Sequence, residues 1–333
     1  MTAQRLRLAL DAGLLEWPDG PVLALRPPPG LEGLPEDRFQ IVHGFRPDVT
    51  AWERRGALVQ PQAEGAFATA LVCVPRAKDH ARALLAEAIG RVGPGGLIVL
   101  DGQKTDGVDS LVKLAKSLLT GVEVYAKAHG KLLWGRVPDP LPDLAPLTPP
   151  LTSPEGWVTA RAGFSAGAVD AGSALLAAHL PARLQGDVLD LGAGWGYLAK
   201  AALASGQVTG MDLVEAEFDA LEAARRNVDD PRARFLWEDA AVFAPGKRYD
   251  AILCNPPFHT SRKADPAIGQ MFLRTAARLL KPSGVLGLVA NRHLPYEHTL
   301  AECFGEAQPV TEAQGYKIFH ARKPRQTGAA RAS

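Results

Sequence analysis

VLDLGAGWGYLA, residues 188–199, decides the fold. A short apolar run ends in three spaced glycines, Gly192, Gly194 and Gly196, and a helix-forming stretch follows at once. Glycines there let backbone amides approach a ligand with no Cβ in the way. The crevice beyond a strand's carboxyl end is where doubly wound sheets bind ligands. Outward from this turn the pattern alternates. YLAKAALASG (197–206) reads as a helix closed by Gly206, QVTGMDL (207–213) as a strand, and EAEFDALEAARRNV (215–228) as an amphipathic helix. ARFLWED (233–239) and YDAILCN (249–255) are further strands, GQMFLRTAARLLKPSG (269–284) a long helix with a Pro/Gly stop, and VLGLVAN (285–291) another strand. Strand–helix alternation of this kind predicts an α/β fold, an open parallel sheet with helices on both faces.

Upstream, residues 137–154 read VPDPLPDLAPLTPPLTSP, with seven prolines in 18 residues. That density excludes a regular helix or a central strand and marks a semi-rigid linker between domains. The half before it echoes the half after it. ALVCVPR (70–76) aligns with AILCNPP (251–257) at an offset of 181, and RVGPGGLIVL (91–100) with RLLKPSGVLG (278–287) at an offset of 187. The expected organisation is a Rossmann-like fold present twice: a degenerate copy over 1–136, the linker, a working copy over 155–323, and a disordered basic tail over 324–333. The first copy has lost its chemistry: Val74-Pro75-Arg76 stands where the second has Asn255-Pro256-Pro257, and its opening strand PVLAL runs into RPPPG with no acidic residue and no spaced glycines.

The bulk numbers narrow the classes. The chain has 333 residues and a formal net charge of +1, which lowers the prior for a strongly basic nucleic-acid binder without excluding a local basic face. Cys73, Cys254 and Cys303 lie far apart with no CxxC spacing. Neither a disulfide framework nor a metal site is expected, and reduced thiols suit the cytoplasm. The start, MTAQRLRLALDAGLLEW, has no signal-peptide core, and no apolar run is long enough to span a membrane.

The glycine turn fits S-adenosylmethionine (SAM) better than a dinucleotide. A dinucleotide fingerprint wants glycine at its sixth position, where this chain has Tyr197. Asp190, just before the turn, suits the cationic amino group of SAM. Asp212, read as the end of the second strand and 22 residues after Asp190, can accept both ribose hydroxyls. Asp239 after the third strand can accept from the adenine amine, with the Ala240 N–H as partner; Glu238 competes for that role.

Asn255-Pro256-Pro257-Phe258 follows the fourth strand. Two prolines in series fix φ and remove two donors. The Asn255 side chain and the Pro256 carbonyl are left as acceptors facing the crevice. A planar amine conjugated to a ring is a poor nucleophile because its lone pair is delocalised. Two acceptors on its N–H groups favour the pyramidal form and aim the lone pair at a sulfonium methyl, by positioning and electrostatics with no strong base. Phe258 can stack on a flat substrate. A turn of this kind two strands beyond an acid, and three beyond DLGAGWG, points to methyl transfer.

These motifs resemble the class I SAM-dependent methyltransferases that modify exocyclic or amide nitrogens. LVANRHLPYEHTLAECFG (288–305), the lysine of QGYKIFHARK (314–323) and GFSAGAVDAGSALLAAHLP (163–181) resemble the ribosomal RNA small subunit methyltransferase C family. The resemblance covers 155–323 well and the first half weakly. It implies SAM as cofactor, and methyl transfer to the exocyclic N2 amine of a guanine in ribosomal RNA, naked or in the small ribosomal subunit. It also implies that Asn255, Pro256 and Phe258 hold the guanine. Asp190, Gly192, Gly194, Gly196, Asp212 and Asp239 would hold SAM, with Phe164 and Ser165 near its methionine end. A sister family acting on the large-subunit RNA looks nearly the same. Two further readings stay open at this level: a methyltransferase acting on a protein glutamine, whose Asn-Pro-Pro turn usually ends in tyrosine, and a non-catalytic RNA-binding protein that keeps SAM for structure. Arg262 and Lys263 are candidate phosphate contacts. Arg225, Arg226, Arg232 and Arg234 read as a solvated or dipole-compensating group, and Lys317 as structural.

Overall fold

Alternation within VLDL places successive side chains on opposite sheet faces. In the computed structural model, which describes residues 4–35, 37–162, 167–257 and 266–325, Leu189 and Leu191 pack into one apolar layer and Val188 into the other. All three are fully buried, as expected of a central parallel strand covered by helices on both sides. Each such side chain contributes roughly 1.5–3 kcal/mol of burial.

The chain divides into two compact units, Met1–Pro150 and Leu151–Ser333. The first holds β1 (Val22–Leu25), β2 (Phe39–Val42), β3 (Val59–Gln60), β4 (Thr69–Cys73), β5 (Leu97–Gln103), β6 (Thr120–Lys127) and β7 (Gly130–Arg136). Its helices are α1 (Gln4–Asp11), α2 (Arg46–Glu53), α3 (Lys78–Val92) and α4 (Val108–Leu118). The second holds β8 (Gly186–Leu191), β9 (Val208–Glu215), β10 (Ala233–Trp237), β11 (Tyr249–Cys254), β12 (Leu280–Asn291), β13 (Phe304–Ala313) and β14 (Tyr316–Pro324). Its helices are α5 (Ala171–Ala178), α6 (Tyr197–Leu203), α7 (Phe218–Asn227), α8 (Pro266–Leu279) and α9 (Tyr296–Cys303).

The strand orders are β3-β2-β1-β4-β5-β7-β6 and β10-β9-β8-β11-β12-β14-β13. These are one order repeated, with the last two strands antiparallel in both sheets. Ala70 pairs with Ile98 in the first sheet and Ala251 with Val285 in the second; Cys73 pairs with Asp101 and Cys254 with Leu288. The offsets 181 and 187 seen in the sequence therefore hold residue by residue across these ladders. The duplication is real at the level of register. It also locates the loss in the first copy. Val72 pairs with Leu25, whereas its counterpart Leu253 pairs with Asp190. Leu25 thus occupies the position of Asp190, and Pro27 and Pro29 follow where Gly192 and Gly194 would stand.

Part of the proline-rich stretch is packed against the first unit. Val137 and Leu147 are buried, and Leu144 packs on the core of the first unit. A chain without regular hydrogen bonding still gains by burying apolar side chains against a neighbouring core. Among the described residues no helix is long and apolar enough to cross a membrane.

Candidate active site

The glycine turn takes its shape from three left-handed residues, Gly192, Gly194 and Gly196, at φ of 80°, 54° and 88°. Two are also required by packing. A Cβ on Gly192 would lie 2.9 Å from Phe272 Cε1, and one on Gly196 would lie 2.9 Å from Val228 Cγ2. At Gly194 a Cβ would meet no described residue within 4 Å, which suits a cradle for a ligand. The turn hangs from the end of the neighbouring strand. Gly192 and Ala193 donate to the Val214 carbonyl, each at 2.9 Å. Asn227 of α7 steadies the far side, donating to the Trp195 carbonyl at 2.8 Å.

Asp190 lies at the end of β8, 1% exposed. Its Oδ2 accepts the Ala199 N–H in the first turn of α6 at 3.0 Å, while its Oδ1 is buried and has no hydrogen-bond partner among the described residues. Burial pushes its carboxyl up to about 7; the Ala199 N–H opposes the shift and neighbouring Glu215 adds to it. A buried carboxylate oxygen without a donor is expensive to keep, and it suits a cationic group of a ligand.

Asp212 departs from its sequence reading. It does not end the second strand; β9 continues to Glu215. Asp212 is buried in mid-strand and fully engaged. Arg234 donates to both its oxygens at 2.7 Å, the Tyr249 hydroxyl donates at 2.7 Å, and Lys247 Nζ lies 3.2 Å away. Burial works against its charge, but these donors prevail and hold it below the usual carboxylate range. The strand-end acid is Glu215. Its Oε2 accepts the Gly194 N–H and its Oε1 the Glu217 N–H, both at 2.8 Å. Burial raises its carboxyl against those two hydrogen bonds. Parity explains the difference. Leu213 pairs with Asp190 and so shares its sheet face, as Glu215 does two residues on. Asp212 pairs with Leu189 and faces the opposite layer. The sequence signal was available in MDLV, where apolar Val214 extends the strand, but it is weak.

Asp239 follows β10, and its Oδ1 accepts the Ala241 N–H at 2.8 Å; Ala240 is buried beside it. Asn255, Pro256 and Pro257 follow β11, whose neighbours are β8 and β12. The Asn255 amide nitrogen donates to Asp170 Oδ2 at 2.9 Å and to Ser173 Oγ at 2.8 Å. A carboxylate only accepts, so the amide has one orientation, and Oδ1 is the atom left over. Among the described residues nothing donates to it. Asp170 and Ser173, at the start of α5, were not singled out in the sequence. Phe258, Phe164, Ser165, Arg262 and Lys263 lie outside the described residues. Arg232 is a structural clamp, holding Asp230 and the carbonyls of Leu203, Ser205 and Val208. Arg225 pairs with Glu222, and Lys317 with Glu297. Among the described residues no His, Cys, Asp or Glu group could hold a metal ion.

A doubly wound sheet with a glycine turn, a strand-end acid and an Asn-Pro-Pro turn defines a methyltransferase, and residues 155–320 match the methyltransferase small domain family. The chain is 32% identical over 263 residues to the ribosomal RNA small subunit methyltransferase C of Shewanella sp. (strain MR-7), covering 76% of each chain. It is 30% identical over 269 residues to that of Psychromonas ingrahamii. The chain belongs to the ribosomal RNA small subunit methyltransferase C family. Across both units it is similar to the T. thermophilus 16S rRNA N2 G1207 methyltransferase (RsmC), solved in complex with AdoMet and guanosine. That match has a TM-score of 0.78 at 26% identity and covers 96% of this chain and 93% of that one.

Proposed function

We propose that this protein transfers a methyl group from SAM to the exocyclic N2 amine of a guanine in 16S ribosomal RNA, in the cytoplasm. The fixed amide of Asn255 carries the reading: with Nδ2 tied to Asp170 and Ser173, Oδ1 is an acceptor preset for an amine proton. The Pro256 carbonyl is the second acceptor of the same turn, and neither proline offers an N–H to compete. When bound, SAM supplies an electrophilic sulfonium methyl. Asn255 and Pro256 hold the two N–H groups and aim the lone pair. Asp190 and the glycine turn receive the methionine end, and Glu215, in place of Asp212, the ribose. Asp239 and Ala240 remain the proposed adenine contacts, and Phe258 the stacking surface. The first unit, without an acid or glycines at the matching positions, carries no methyl-transfer chemistry.

The test is mass spectrometry of nucleosides from ribosomal RNA of cells with and without the protein. One N2-methylguanosine should vanish from 16S RNA without it and return with wild type but not with Asn255→Ala. If neither ribosomal RNA changes, the substrate assignment is wrong and protein amides are examined next.

SAM affinity should also depend on pH. Burial raises Asp190 to about 7 in the folded chain, well above its ordinary value. The folded state therefore holds an extra proton, and stability from this group falls as pH rises from about 4 to about 7, then levels off. A cationic ligand prefers the ionised carboxylate, so binding expels the proton below pH 7. Calorimetry should show SAM affinity rising about fivefold between pH 6 and pH 7, with the slope lost in Asp190→Asn. An equal slope in that variant would assign the titration elsewhere.

A further inference from the structure

We infer that Asp170 is a positioning residue for methyl transfer, acting through Asn255. The inference rests on the reading that Asn255 receives the target amine. Asp170 is the N-cap of α5, where its Oδ2 accepts the Ser173 N–H at 2.7 Å. The same oxygen accepts from Asn255 Nδ2 at 2.9 Å, and the Ser173 hydroxyl accepts from that nitrogen at 2.8 Å. Both amide protons of Asn255 are thereby engaged by one turn of helix 82 to 85 residues earlier in the chain. The carboxylate is framed from the sheet side too. Tyr316, paired with Asn291 at the end of β12, places its hydroxyl 3.4 Å from Asp170 Oδ1. Gly172 makes that approach possible: a Cβ there would lie 2.8 Å from the Tyr316 ring and 3.0 Å from Asp170 Oδ2.

Two consequences follow. An amide free to rotate presents its NH2 or its oxygen to a substrate; a carboxylate on the nitrogen forbids the first. Donation to an anion also draws amide electron density toward oxygen, making Oδ1 a stronger acceptor. A helix cap alone requires neither effect, since serine caps as well as aspartate.

That equivalence gives the test. Asp170→Ser keeps a capping oxygen but is too short to reach Asn255. Asp170→Asn keeps both cap and reach and removes the charge. In steady-state assays on 16S RNA or the small subunit, kcat should fall about 10- to 100-fold in Asp170→Ser and by less in Asp170→Asn. KM for RNA, SAM affinity by calorimetry and the thermal midpoint should stay near wild type. In an Asn255→Ala background, Asp170→Ser should produce no further loss, because residues acting as a unit are not additive. Wild-type kcat in a folded Asp170→Ser, or in the equally short capping variant Asp170→Thr if the serine variant does not fold, would reduce Asp170 to a helix cap. Full activity of Asn255→Ala would instead remove the reading of the site on which the inference stands.

Discussion

Asn255→Ala should slow methyl transfer about 10²- to 10³-fold, the loss found when one preset hydrogen-bonding group is removed from a site of developing charge. The expectation comes from geometry. The Asn255 amide is fixed by Asp170 and Ser173 at 2.9 and 2.8 Å, so under the proposed function its oxygen meets the amine without reorganising. Single-turnover rates on 16S RNA measure it. SAM affinity should hold within about twofold, because binding energy used only in the transition state does not appear in cofactor binding. A rate unchanged by the substitution would mean that the turn is structural. A rate lost together with SAM binding would mean that the cofactor crevice collapsed with it.

Glu215 and Asp212 should respond in opposite ways. Glu215→Ala removes the acceptor of the Gly194 N–H and the proposed ribose acceptor. Hydrogen bonds to charged groups are worth about 1.5–3 kcal/mol, so SAM affinity should fall about 10- to 100-fold. Asp212→Ala should leave that affinity alone and lower stability by about 1–3 kcal/mol, chiefly because the buried Tyr249 hydroxyl loses its acceptor. The mostly exposed Arg234 side chain returns to water at little cost. Calorimetric SAM titration and denaturant unfolding of the two variants separate the roles. Loss of SAM binding in a fully stable Asp212→Ala would restore Asp212 to the ribose.

The pair also shows how far a linear reading reaches. Motif logic looks for an acid about twenty residues beyond the glycine turn, and Asp212 fits that spacing. It stands three positions before Glu215, an odd offset, so the two carboxylates point to opposite sheet faces. On the proposed reading the cofactor lies on the face of Asp190, and which acid shares that face depends on the strand partner of Asp190, Leu213. Register between strands is not written in either strand alone. The same holds for Asp170. It caps α5 through the neighbouring Ser173 N–H, but its contact with Asn255 spans 85 residues and exists only once the start of α5 meets the turn after β11.

What the amino-acid order determined by itself is everything local or repeated. The apolar periodicity laid out strands and helices. The spacing of Gly192, Gly194 and Gly196 made the turn, and the two prolines stiffened the chain after Asn255. The offsets of 181 and 187 carry a duplicated sheet in the sequence itself, and the ladders keep them. Only the tertiary structure decided which carboxylate shares the sheet face of Asp190, how the Asn255 amide is turned, and that part of the proline-rich stretch lies on the first core. Those outcomes depend on contacts between residues distant in sequence, where register, parity and burial act together and no single segment carries the information.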